Sequence, residues 1–310
     1  MEKGTGLFII FIVSGRSGRK YQYLSLSCAS MKSPGISIDG VRLTLESHTV
    51  FSGLTLEFAA NQCHCILGRS GVGKTSLLNL VSGSATAQSG SVSASNGVAL
   101  ATQIAYMLQD DGLLPWLSAI DNVQLGSRLR GTSNPQSIER AMSLLTSVGL
   151  ADRASSLPAT LSGGMRQRVA LARALMEDRP VILMDEPFSR LDAITRDELQ
   201  VMASDLLRER TVILVTHDPA EALRIAHTVT VLHKNAFHIK STSDDKHADH
   251  SITNFKTDKA QPDIQKLSKT TTFILKSDPP RQRNDVQVVE LTPALWSALS
   301  DDPLPGEVGV

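Results

Sequence analysis

The chain has 310 residues, 41% of them hydrophobic, enough to bury a core and hold one or two domains. Lys plus Arg number 31 and Asp plus Glu number 31, so the formal net charge is zero and no bulk basic footprint points to DNA or RNA. Three cysteines, Cys28, Cys63 and Cys65, are too few for a disulfide framework, and a reducing cytosol is the natural compartment.

Leu7 to Val13 is strongly apolar but falls far short of the roughly 20 residues that cross a bilayer. It imitates the core of a secretion signal, yet Glu2 offsets Lys3. Residues 1–35 are expected to lie outside the fold, with Met31 a candidate natural start. No other stretch is a membrane-span candidate. From Ile36 to Phe58, apolar and polar residues alternate (Ile36, Ile38, then Leu54, Leu56, Phe58), as in paired strands with one buried face. Cys63-His64-Cys65-Ile66-Leu67 reads as a short buried strand. Its two cysteines alternate on one face and read as small buried hydrophobes rather than a metal pair.

That strand runs into Gly68-Arg69-Ser70-Gly71-Val72-Gly73-Lys74-Thr75, which completes G-x-x-x-x-G-K-[ST]. Glycines let successive N–H groups turn inward around an anion, where a Cβ would obstruct them. Lys74 brings a positive charge to the β- and γ-phosphates, and Thr75 offers a hydroxyl to Mg²⁺. Thr75, Ser76 and the residues through Val81 read as a helix whose positive dipole end faces the phosphates. The chain is therefore expected to bind a nucleoside triphosphate through Gly68 to Ser76. An exported domain would find no ATP, which argues against reading the apolar N-terminus as a signal.

Ser89 to Ser93 and Gln103 to Met107 are further strand candidates. From Leu113 to about Thr160 the pattern turns helical. Ile138, Met142, Leu145 and Val148 recur near helical spacing, and Asn134-Pro135 marks a start. Val181 to Met184 and Val212 to Val215 are continuous apolar runs, the pattern of parallel strands covered on both faces. Strands alternating with helices predict an α/β core of the P-loop type. Ser241 to Asn284 is mostly polar and reads as linker or disorder. Beyond it, Leu295, Trp296 and Leu299 read as lying on one short helix of unassigned role.

Val181-Ile182-Leu183-Met184 ends in two carboxylates, Asp185 and Glu186. Successive residues at a strand end point to different sides. Asp185 can thus hold Mg²⁺ while Glu186 faces the γ-phosphate and polarises a water. Leu161-Ser162-Gly163-Gly164-Met165-Arg166-Gln167-Arg168 opens a second helix, with Ser162 at a favoured cap position and glycines permitting close approach to an anion.

This Leu-Ser-Gly-Gly segment ahead of Asp185-Glu186 resembles the signature motif of ATP-binding-cassette (ABC) ATPases. The resemblance covers about Ile36 to Ile239 and implies roles for further residues. Gln109, after Tyr106-Met107-Leu108, matches the glutamine that contacts Mg²⁺ or water and senses the transport partner. Ser189-Arg190-Leu191-Asp192 matches the loop in which Asp192 works across a dimer interface. His217, after Val215-Thr216, matches the switch histidine at the γ-phosphate. Lys74, Gln109, Glu186 and His217 are then the expected catalytic set, and Thr75, Gln109 and Asp185 the metal set. Ser162, Gly163 and Gly164 would complete the ATP site of a second copy. The implied fold is a P-loop core with an antiparallel β subdomain over residues 36–240, with a helical subdomain inserted at about 113–165. Residues 241–310 form a tail outside it.

One position departs from the family. An aromatic residue usually stacks on adenine about 25 residues before the P-loop, and Thr44-Leu45-Glu46 has no ring there. The segment Leu113-Leu114-Pro115-Trp116-Leu117-Ser118, directly after Gln109, sits where importer cassettes receive the membrane subunit's coupling helix. A buried tryptophan is the alternative reading of Trp116. The wording of Asp110 to Val123 resembles the nitrate/sulfonate/taurine importers, and Leu114 to Ser118 with Leu125 to Gly131 is similar to importers of the thiamine precursor hydroxymethylpyrimidine. The resemblance implies an ATPase subunit on the cytoplasmic face of the inner membrane. Its implied partners are a second copy, separate permease subunits and, indirectly, a solute-binding protein, with no nucleic acid. The competing reading is a soluble cassette ATPase untied to transport, though such proteins carry long insertions or tandem cassettes. A small-molecule kinase would leave Leu161 to Met165 and His217 unexplained, and a dead regulatory subunit would not retain Lys74, Asp185, Glu186 and His217.

Overall fold

The computed structural model describes residues 33–45, 48–189, 191–233, 264–267 and 270–300. The apolar N-terminal run, the candidate start at Met31 and much of the predicted tail lie outside the described residues. Strand β1 (Ile36–Leu45) pairs antiparallel with β2 (His48–Phe58). The expected alternation holds, since Ile36, Ile38, Leu54, Leu56 and Phe58 are buried. Next come β3 (Cys63–Gly68), α1 (Lys74–Ser82), β4 (Ser89–Ala94), which pairs with β1, and β5 (Ile104–Met107). Ser33 and Pro34 correct the expectation that residues up to 35 stand outside the fold. Ser33 is buried and its hydroxyl donates to Glu209 O, while Thr211 Oγ1 donates to Pro34 O at 2.7 Å.

A compact helical unit spans 113–178 among the described residues. It holds α2 (Ala119–Val123), α3 (Leu125–Leu129), α4 (Pro135–Ser147) and α5 (Gly163–Met176). Asn134 caps α4 reciprocally with Ser137, and Pro135 pre-sets the first turn. The buried face of α4 is Ala141, Leu144, Leu145 and Val148, leaving Ile138 and Met142 exposed although they share the apolar spacing. The unit runs past the expected boundary near 165 because α5 packs along its length on α2 and α4.

The remaining chain adds β6 (Val181–Asp185), α6 (Ala193–Leu206), β7 (Thr211–Thr216), α7 (Pro219–Ile225), β8 (Thr228–Leu232), β9 (Ile264–Leu267), β10 (Thr270–Ile274) and α8 (Val286–Ser300). Seven strands form one sheet in the order β5-β6-β7-β3-β8-β10-β9, and β2-β1-β4 form a second. The five from β5 to β8 are parallel, and their apolar runs are buried on both faces, as helix-covered parallel strands require. Here the predicted linker is corrected. Thr270–Ile274 pairs antiparallel with β8 and buries Phe273, so a polar sequence still extends the sheet. Threonines at 270, 271 and 272 suit a strand through their branched Cβ, a signal that polarity counts hide. Helix α8 holds Leu295, Trp296 and Leu299 as expected; it packs on α7 and buries Val288, Leu291, Leu295 and Leu299, while Trp296 is 54% exposed.

Cys65 is buried and Cys63 half-buried, and neither is in a disulfide. Between them His64 is 3% exposed, with Nδ1 2.7 Å from Thr228 Oγ1 and Nε2 2.9 Å from Ala59 O. Burial lowers its pKa from 6.5 to about 4, so the ring stays neutral in the fold and charges readily once unfolded. Stability from this group is complete above pH 6.5 and drains away as pH falls towards 4, by roughly 3 kcal/mol in all. Urea melts at pH 7.5 and pH 4.5 should show that loss in the wild type and a smaller one in His64→Gln; equal losses would remove His64 as the cause.

Candidate functional site

Four neighbouring parallel strands, β5, β6, β7 and β3, end on the same edge of the sheet, where open α/β sheets bind ligands. Each delivers a chemically active side chain there. Beyond β3 the chain turns through Gly71 and Gly73, at φ 79° and 103°, before α1 begins. Gly73 is required twice over, since a Cβ would also come within 2.7 Å of Val50 Cγ1 and 3.1 Å of Phe51 Cζ. Arg69, Ser70 and Gly71 are exposed and Val72 is buried beneath them, which pins the loop while leaving its rim open. Gly68 is buried against Leu232, and Ser76 is half-buried in the first turn of α1.

Lys74 is buried at 6% exposure, and its ammonium donates to Gly68 O at 2.8 Å and Arg69 O at 3.1 Å. It also lies 3.4 Å from Glu186 Oε1. At the end of β6, Thr75 Oγ1 donates to Asp185 Oδ2 at 2.9 Å. Burial raises the Asp185 carboxyl above its ordinary range, opposed by the Thr75 hydrogen bond and the Lys74 charge. A hydroxyl and a carboxylate side by side are the hard oxygen donors that Mg²⁺ takes, so Thr75 and Asp185 fit that ion.

Glu186 is the point on which the other groups converge. Its Oε2 is 3.3 Å from Gln109 Nε2 and 3.2 Å from His217 Nδ1. Its backbone sits at φ 43°, a left-handed conformation that a β-carbon disfavours, held by a hydrogen bond from Glu186 N to Val215 O at 2.9 Å. Four residues far apart in sequence, Lys74, Gln109, Glu186 and His217, thus meet. Gln109 lies beyond the strand rather than in it, because β5 ends at Met107 and Leu108 is exposed. His217 is 54% exposed, free to meet a ligand.

Asp192 caps α6, accepting from Ile194 N at 3.2 Å and Thr195 N at 3.1 Å. Those hydrogen bonds, the Thr195 one foremost, hold its carboxyl below the usual range, so it is an exposed anion. In the helical unit Ser162 caps α5 by accepting from Met165 N at 3.2 Å. Ser162 and Gly163 are exposed, a Cβ at Gly163 would meet open space, and Gly164 is buried. Asp192 and Ser162 are both exposed, each at the start of its own helix.

Trp116 is 70% exposed, which removes the buried alternative. Sequence reading passed over the residue that presents it. Asn122, fully buried, donates from Nδ2 to the carbonyls of Leu114, Leu117 and Ser118 and accepts from Leu114 N at 2.8 Å. A buried amide spent on one loop was readable only as a polar residue in an apolar stretch. Leu45 is 45% exposed at the end of β1.

With this geometry in place, the comparisons become specific. A family model described as ABC transporter matches residues 51–189. An uncharacterized ABC transporter ATP-binding protein of Haemophilus influenzae is 43% identical over 203 residues, covering 66% of this chain and 84% of that one. The aliphatic sulfonates import ATP-binding protein SsuB of Pseudomonas putida is 44% identical over 203 residues, 64% of this chain and 72% of its own. Among solved structures, the dimeric post-hydrolysis state of the ATP-binding cassette MJ0796, bound to ADP and Pi, superposes with a TM-score of 0.57 at 29% identity. It covers 64% of this chain and 94% of that one.

Proposed function

Because the chain belongs to the ATP-binding subunits of ABC transporters, we propose that paired copies hydrolyse ATP at Glu186 to drive solute import through separate permease subunits. The observation that carries this reading is the convergence of Lys74, Gln109 and His217 on the Glu186 carboxylate. Gly68 to Ser76 wrap the phosphates. Lys74, held by two loop carbonyls, exchanges its contact with Glu186 for the β- and γ-phosphates. Thr75, Asp185 and Gln109 would hold Mg²⁺, which supplies charge neutralisation on the phosphates when bound. Glu186 polarises the attacking water, and His217 steadies both that carboxylate and the γ-phosphate. Ser162, Gly163, Gly164 and Asp192 serve the site of the second copy. The dimeric state of the relative bound to ADP and Pi supports the paired reading.

No helix among the described residues is long and apolar enough to cross a membrane, which fits peripheral attachment on the cytoplasmic face through permeases. The several sulfonate-import relatives favour a small anionic solute of the sulfonate type, delivered by a solute-binding protein. Permease subunits co-purified from membranes, and the solute that stimulates them, test the assignment directly. Trp116→Ala should lower the ratio of permease-stimulated to unstimulated ATPase activity about tenfold, as loss of an exposed aromatic anchor does. An unchanged ratio would detach Trp116 from coupling.

A further inference from the structure

Arg196, on α6, spends its whole guanidinium on three targets. Nε donates to Phe188 O at 3.2 Å, Nη2 donates to Leu191 O at 2.8 Å, and Nη1 lies 3.6 Å from Asp218 Oδ2. The first two carbonyls bracket the loop that leads from Glu186 to Asp192. Asp218 follows His217 directly, and its other oxygen, Oδ1, caps α7 by accepting from Ala220 N at 2.9 Å and Glu221 N at 3.4 Å. The circuit closes through His217 Nδ1 and Glu186 Oε2, 3.2 Å apart, and through Ser189, whose N and Oγ both donate to Glu186 O. Glu221 is buried nearby, where burial pushes its carboxyl up to about 8 against the opposing charge of Arg196.

We infer that Arg196 is a positioning residue that ties the Asp192 loop to the His217 loop. Contact of a second copy with Asp192 and placement of His217 at the γ-phosphate are thereby one mechanical event. The inference rests on the paired-copy reading above. Only a planar fork can span two carbonyls and a carboxylate at once; a lysine of the same charge reaches one of them. The link acts on the reacting geometry rather than on ATP affinity, because none of its members lies in the phosphate loop.

The test uses the full chain. Arg196→Lys and Asp218→Asn, the latter retaining a cap, should each lower kcat about tenfold while the KM for ATP stays within about twofold. The double variant should fall no further than either single, because both changes cut one link. Independent, multiplying losses, or a wild-type kcat in either single variant, would overturn the inference. If Arg196→Lys does not fold, Asp218→Asn alone decides by the same kcat and KM criteria. ATP-driven pairing in a Glu186→Gln background should survive both substitutions. A wild-type chain that neither pairs nor hydrolyses ATP would sink the paired-copy reading instead, a result distinguishable from failure of the Arg196 link.

Discussion

Glu186→Gln chains are expected to bind ATP and remain paired, with phosphate release slowed about 10²–10⁴-fold. The amide keeps the shape of the side chain and can still meet His217 and Gln109, 3.2 and 3.3 Å away, but it cannot take up a proton from water. Lys74 loses its anionic neighbour 3.4 Å away, so the ammonium meets the phosphates without first breaking an ion pair, and ATP affinity is not weakened. Size-exclusion chromatography with ATP and a phosphate-release assay report the two halves of this outcome. Wild-type turnover would take Glu186 out of the reaction. Loss of ATP binding would mean that its role is to hold the phosphate loop.

The second large effect concerns two inactive chains that repair each other. Lys74→Ala removes the phosphate cation, and Ser162→Arg fills the exposed signature turn. Each alone should lose on the order of a hundredfold or more in turnover, the scale of losing a transition-state contact. When mixed in equal amounts, half the pairs carry one of each chain, and each mixed pair holds one site with an intact Lys74 and an intact Ser162. Activity should then return to about a quarter of wild type if the two sites act independently. Silence after mixing, with pairing demonstrated, would refute a shared site. So would full activity of Ser162→Arg alone.

Much of the site was legible because its parts are local. The phosphate loop needs glycines at fixed offsets from Lys74, and Gly73 bears this out by packing against Phe51 where no Cβ fits. Asn134-Pro135 announces a helix by chemistry contained within one turn. Less was legible where solvent decides. The apolar spacing of α4 identified a helix but not which apolar residues are covered, and Ile138 and Met142 remain in water. Thr270 to Ile274 was hidden by its polarity, since it joins the sheet by backbone pairing with β8 and β9, which polar side chains do not prevent.

By itself the sequence determined the chemistry available to this protein: a phosphate cradle, a hydroxyl and carboxylate for a divalent ion, and a second carboxylate beside them. Those properties follow from residue types and short spacings, which hold whatever the rest of the chain does. Only the tertiary structure decided that Lys74, Gln109 and His217 all face Glu186, and that Arg196 joins the loops on either side of it. The physical reason is strand order. Adjacent parallel strands from distant parts of the chain end on one edge, and hydrogen bonds spanning dozens of residues exist only once that order is formed.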